Sequence, residues 1–170
     1  MQIVYRTGDF IDGAEPVAIH SCNARGVMGA GAALAVRERL PFAYTAYRNA
    51  YCATGLHLGE VVWAIDIATD ARPRIVGNAI TQQAYGRGPQ RYVDYEAVRT
   101  AIRHVEAFVA MPPEHVIAAM PPLDAVAMPL IGCGLGGGSW SIISAIVEEE
   151  SHSFTPVVYL LDGIIPSRSS

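Results

Sequence analysis

The 170-residue sequence contains no lysine; its twelve basic side chains are all arginine. A Walker-type phosphate loop requires a lysine, and Schiff-base or lysine-nucleophile chemistry requires a titratable amine, so both are excluded. Charge is sparse at 16% of residues and sums to −4 at pH 7. A general nucleic-acid binder would carry a basic face, which this balance does not favour. Cysteine is scarce: Cys22, Cys52 and Cys133 are odd in number and widely spaced. That fits neither a disulfide framework nor a zinc site. No metal and no cofactor are expected. Long apolar runs are missing too. The most apolar stretch, 116–135, is broken by Pro121, Pro122, Asp124 and Pro129, so no membrane partner is expected. Asp9 and Asp12 come too early for a signal sequence. The expected setting is therefore a reducing, cytoplasmic one.

What is present is apolar. Hydrophobic residues make up 51% of the chain, ample for one core in a chain of single-domain length. Strand-like runs alternate with helical periodicity, which is the pattern of an α/β sandwich. Strands are expected over 2–6, 17–21, 61–67, 75–80, 125–128 and 157–161, with a turn at Asp70-Ala71-Arg72-Pro73. Helices are expected over 29–40, 42–53, 94–109 and from Ser139 to about Glu149. Asp94 is placed to cap the third of these, and Val98, Ile102, Val105 and Val109 form its buried stripe. Pro112 and Pro113 end it, and Ser139 is expected to cap the last helix. No repeat or linker interrupts the pattern. One domain is expected over 1–163, with a loose tail over 164–170.

Three segments carry chemistry. In Ile131-Gly132-Cys133-Gly134-Leu135-Gly136-Gly137-Gly138-Ser139, five of nine residues are glycine, between a strand and a helix. Such a loop can aim successive N–H groups at an anion, and the helix adds the positive end of its dipole. Ile19-His20-Ser21-Cys22-Asn23 through Met28-Gly29-Ala30-Gly31-Ala32 repeats the arrangement without matching the dinucleotide fingerprint. Two such loops at strand ends suggest a diphosphate held from both sides. The third segment, 77–95, is polar and aromatic. Arg87 and Arg91 can hold phosphate there and Tyr85 or Tyr92 can stack on a ring; an ordinary surface loop is the alternative.

Single residues remain open between two roles. Asn23 either bonds a sugar hydroxyl or closes a turn. His20 is either a general acid or base or a bonded structural histidine. Asp9, in Gly8-Asp9-Phe10-Ile11, either accepts from an exocyclic amine or caps a turn. Cys22 is read as a small apolar group. His57, His104, His115 and His152 have no motif around them.

Read in order, these residues resemble the macro domain family. Gly8-Asp9-Phe10 looks like its adenine-recognition element, and His20-Ser21-Cys22-Asn23 through Gly29-Ala30-Gly31 like its first phosphate loop. Met128-Pro129-Leu130-Ile131-Gly132-Cys133-Gly134-Leu135-Gly136 looks like the second, and Val158-Tyr159-Leu160-Leu161 like the last strand, whose end lies against adenine. Within the family the chain looks most like the branch of yeast ADP-ribose-1''-phosphate phosphatase, the terminal ADP-ribose glycohydrolase and DarG. The resemblance implies a three-layer α/β/α sandwich with a mixed central sheet. It also implies binding of ADP-ribose or a derivative by Gly8 to Ile11, Ser21 to Asn23, Met28 to Ala32, Ile131 to Gly137, and Leu161. Asp9 would accept the adenine amino group and Asn23 would touch the distal ribose.

The leading implied activity is hydrolysis of ADP-ribose-1''-phosphate, with His20 activating water or protonating the leaving oxygen and Asn23 positioning the ribose. Two alternatives are removal of ADP-ribose from a macromolecule without a lysine, and a non-catalytic binding module. Departures from the branch matter here. The catalytic lysine of the glycohydrolase and DarG is excluded, and Gly136 stands where the glycohydrolase has an aspartate.

Overall fold

The computed structural model describes residues 1–68 and 73–166. Its centre is a six-stranded sheet in the order β1-β6-β5-β2-β4-β3. The strands are β1 (Val4–Thr7), β2 (Val17–Asn23), β3 (Val61–Ile65), β4 (Ile75–Gln82), β5 (Ala125–Met128) and β6 (Thr155–Leu160). Every neighbouring pair is parallel except β3 with β4. The sheet is therefore mixed, as expected. β2 and β4 are covered on both faces, which explains why they read as nearly unbroken apolar runs.

Five α-helices and a short 3-10 helix at Phe10–Asp12 complete the described elements: α1 (Gly31–Arg39), α2 (Pro41–Thr54), α3 (Tyr95–Ala110), α4 (Glu114–Ala119) and α5 (Trp140–Glu150). Alternate residues of β2 point to opposite layers, since the side-chain period of a strand is two. Val17 and Ile19 join the core with Val98, Ile102 and Val105 of α3 and Ile143 and Val147 of α5. Ala18 and Cys22 join Val36 of α1 and Ala43 and Tyr47 of α2. The result is an α/β/α sandwich with two cores.

Local signals explain most boundaries. Asp94 caps α3 by accepting from the Ala97 N–H at 2.9 Å, and the expected stripe is buried. Pro41 stops α1 and supplies the first residue of α2, where its missing N–H costs nothing. Three differences from the expected elements stand out. β2 and β4 run two residues further, to Asn23 and Gln82, because their pairing continues past a bulge at Cys22/Asn23. Pro113 opens α4, too short to show periodicity. Ser139 precedes α5 without capping it: its hydroxyl meets that of Ser141, and its N–H donates to the Tyr95 hydroxyl. The turn expected at 70–73 lies outside the described residues apart from Pro73, as does the tail beyond 166.

Candidate functional site

The C-terminal ends of β6, β5, β2 and β4 lie along one edge of the sheet, and the loops that leave them enclose a cleft of about 820 Å³. Open α/β sheets place ligands at this edge. The loop after β2 is organised by Asn23. Its Oδ1 accepts from the Arg25 N–H at 2.9 Å, and its Nδ2 donates to the Val27 carbonyl at 2.7 Å. The buried Tyr47 hydroxyl reaches both the Asn23 carbonyl and Oδ1, at 2.7 and 3.1 Å. This turn delivers Gly29, Ala30 and Gly31 to the cleft. Ala30 sits at the N-cap of α1 and has no side-chain oxygen to offer. The first-turn N–H groups of Gly31, Ala32 and Ala33 are therefore left free along the cleft wall.

The loop after β5 faces them. Ile131 N–H donates to Pro129 O (2.7 Å), Cys133 to Leu130 O (3.0 Å), Gly137 to Gly134 O (3.0 Å) and Gly138 to Gly132 O (2.9 Å). Between these bonds, the N–H groups of Gly132, Gly134, Leu135 and Gly136 donate to nothing among the described residues. Glycine is required by geometry at two of these positions. Gly132 has φ +74°, and a Cβ at Gly136 would sit 2.5 Å from the Gly132 carbonyl oxygen.

The cleft has two unlike ends. At β6, Tyr159 lines it with its hydroxyl donating to the buried Glu15 carboxylate at 2.8 Å, and Leu161 and Asp162 stand beside it. At β4, Gln82, Tyr85, Gly86 and Arg87 close it, with Gln82 Nε2 donating to Ala84 O at 2.9 Å.

The structure brings together Ser21, Asn23, Gly29, Ala30, Gly31, Ala32, Ile131 to Gly136 and Leu161 on the cleft wall. It does not place the others there. His20 is fully buried on the α2 side of β2, with Nε2 2.8 Å from Asn78 Oδ1. Burial lowers its pKa to about 4, against the raising effect of the Asn78 bond. Of the two roles left open for His20, this placement agrees with the bonded structural histidine, and the ring does not border the cleft. Cys22 is buried 3.6 to 3.7 Å from the His20 nitrogens, and burial pushes its thiol well up. Met28, Phe10 and Ile11 are core residues. Gly8 donates to Leu160 O beneath the cleft. Asp9 has both oxygens engaged, one by the Ile11 N–H at 3.0 Å and one by Arg39 Nη1 at 3.0 Å. Asn23 borders the cleft, but its amide closes a turn. Gly137 borders a smaller neighbouring cavity instead.

Val27, Ala33, Gln82, Pro129, Leu130, Tyr159, Leu160 and Asp162 also line the cleft; Gln82, Pro129, Leu130, Tyr159 and Leu160 fall within the segments quoted above but were not singled out as ligand-binding. Among the described residues no cluster of three His, Cys, Asp or Glu side chains could hold a metal, and no helix is long and apolar enough to cross a membrane.

The fold and cleft define an α/β/α protein with uncapped amides along a cleft at the strand ends. No protein-family model and no curated protein matches the chain. Solved structures do. A protein of unknown function from Bacteroides thetaiotaomicron is 30% identical, with a TM-score of 0.74 over 94% of this chain and 98% of that one. A macrodomain protein from Streptomyces coelicolor is 28% identical, with a TM-score of 0.66 over 93% and 98%. Thermosipho africanus DarTG in complex with ADP-ribose is 19% identical, with a TM-score of 0.73 over 98% of this chain and 43% of that one. The chain belongs to the macro domain family.

Proposed function

We propose that the cleft binds ADP-ribose or a close derivative, with the diphosphate between the two loops. The observation that carries this reading is the facing of two sets of unpartnered N–H groups, one from the α1 N-terminus and one from Gly132 to Gly136. Amides fixed in this way stabilise phosphate oxygens without a cation, which suits a chain without lysine. The cleft volume falls in the range of pockets that enclose a nucleotide-sized ligand. The Thermosipho relative was solved with ADP-ribose, which supports the same reading. By analogy with that family, the base lies at the β6 end, against Tyr159 and Leu161, and the distal ribose at the β4 end.

The leading activity, hydrolysis of ADP-ribose-1''-phosphate, requires a base beside the distal ribose. His20 is enclosed, burial holds the Cys133 thiol at about 12, and Asp162 stands at the opposite end. The proposed role is accordingly that of a binding module: ADP-ribose-1''-phosphate is taken up and not turned over. Titration calorimetry with ADP-ribose, paired with a phosphate-release assay on ADP-ribose-1''-phosphate, tests both statements. Micromolar binding without phosphate release is expected. Absence of binding would overturn the functional reading, and catalytic phosphate release would overturn the binding-module reading alone.

A further inference from the structure

Charge is unevenly shared along the chain. Residues 24–54 hold Arg25, Arg37, Arg39 and Arg48 against Glu38 as the one acidic side chain, a net charge of +3 in a chain of formal charge −4. All other residues together therefore sum to −7. The positive segment is the loop after β2 with α1 and α2. Arg39 pairs with Asp9 and Asp12. Arg25, Arg37 and Arg48 have no carboxylate partner among the described residues.

Those three guanidinium groups follow one line with two tyrosines. Tyr44, Arg48 and Tyr51 recur at helical spacing, so they share a stripe of α2 about 10 Å long. Arg37 of α1 stands 5.7 Å over the Tyr44 ring, and Arg48 stands 5.2 Å over the Tyr51 ring. Arg48 Nη1 also donates to the Gly26 carbonyl at 2.8 Å. Gly26 lies so close to the stripe that a Cβ there would meet Arg48 Nη1 and Tyr51 Cδ1 at 2.6 Å. Arg25 is thus held near the Tyr51 end, and Arg37 near the Tyr44 end. Arg25, Arg37 and Tyr51 are exposed, while Tyr44 and Arg48 are half-buried.

The arrangement selects its partner. A guanidinium held over a ring has fewer rotamers to lose and still offers its N–H fork, which matches a carboxylate. Bases of a nucleic acid would need the ring faces over which the arginines stand. A longer polyanion would also run from this face onto a molecule that is otherwise acidic. Arginine and tyrosine are the side chains enriched at protein interfaces, where lysine is depleted.

We propose that this α1–α2 face docks a short acidic segment of a partner protein, its carboxylates pairing with Arg37, Arg48 and Arg25. None of these side chains lines the cleft, so the docking face stands independently of the ADP-ribose reading. A stripe of this length takes three or four extended residues, at about 3.3 Å each, and the binding is accordingly weak. Fluorescence anisotropy of a labelled peptide of alternating glutamate and glycine, titrated with the full chain, tests it. A Kd of about 100 μM is expected in low salt, weaker by about tenfold in high salt. Arg25→Glu with Arg37→Glu should weaken binding by more than about tenfold at a native melting temperature, whereas the same change of charge at Arg87 and Arg91 should not. Glu38→Gln should tighten binding by about twofold, an effect that damage to the fold does not produce. No binding of the glutamate peptide, equal binding of its glutamine counterpart, or binding that ignores the substitutions at Arg25 and Arg37 would overturn the docking face. Tighter binding of an oligothymidylate of equal charge would overturn it in favour of a nucleic acid.

Discussion

His20 donates its Nε2–H to Asn78 Oδ1 across 2.8 Å, between two central strands. The direction is fixed by the neighbours. Asn78 Nδ2 donates to the carbonyls of Ala43 and Val62 at 3.2 and 3.0 Å, so that end of the amide is the NH₂ and the other accepts. The neutral tautomer of His20 is therefore Nε2–H, and its Nδ1 lone pair is left beside the Cys22 thiol. A residue that reads as an acid or base in sequence is a strut that ties β2, β3, β4 and α2 together.

Replacement of His20 should accordingly damage stability and spare binding. His20→Ala leaves Asn78 Oδ1 unpaired and opens a cavity, at a cost of about 2–4 kcal/mol. Urea denaturation should show this loss, while calorimetry shows unchanged ADP-ribose affinity. His20→Gln, which keeps an N–H donor, should recover part of the stability. A variant with native stability and lost binding would contradict the assignment.

The same histidine sets an acid limb. Its folded pKa, about 4, lies below the ordinary 6.5, so the unfolded chain binds the proton more readily. The stabilisation is complete above pH 6.5 and is lost as pH falls to about 4, by about 3 kcal/mol in total. Arg103 and Arg99 hold the Glu150 carboxyl below its usual range, so that group adds a loss of the same sign only at lower pH. Chemical denaturation measured across pH 7 to 4 should show this slope in the wild type and a shallower one in His20→Gln.

Gly136→Ala tests the second loop. The new Cβ would meet the Gly132 carbonyl at 2.5 Å and Gln82 Oε1 at 3.2 Å, so the loop must shift. Affinity for ADP-ribose should fall by about tenfold or more, against a stability loss of about 1–3 kcal/mol. Parallel calorimetry and thermal melts distinguish a displaced loop from a lost fold.

Thiol labelling reads the site from another direction. Cys52 is exposed, Cys133 half-buried on the cleft wall, and Cys22 enclosed. A maleimide at pH 7 should modify Cys52 first. Cys133 should follow slowly, since burial holds its thiol at about 12. ADP-ribose should slow Cys133 further, and Cys22 should react only in denaturant. Mass spectrometry of the labelled peptides gives the order.

Elements built from neighbouring residues were legible before any coordinates. The Val98, Ile102, Val105, Val109 stripe and the Asp94 cap depend on contacts within four residues, and both are found. The glycine-rich loops were legible as strand-to-helix turns with free amides for the same reason, because that arrangement is a local property. Roles that depend on distant partners were not legible. Asp9 meets Arg39 thirty positions on, and His20 meets Asn78 fifty-eight positions on.

The sequence by itself determined the fold class, the order of most elements, the family resemblance and the absence of any lysine from the site. Those follow from composition, periodicity and short motifs. The tertiary structure decided which polar groups face the cleft. It enclosed His20, paired Asp9 with Arg39 and turned Asn23 inward on its own loop. The physical reason is that strand pairing and helix packing assign each side chain to a face and a partner, and those assignments join residues far apart in the chain.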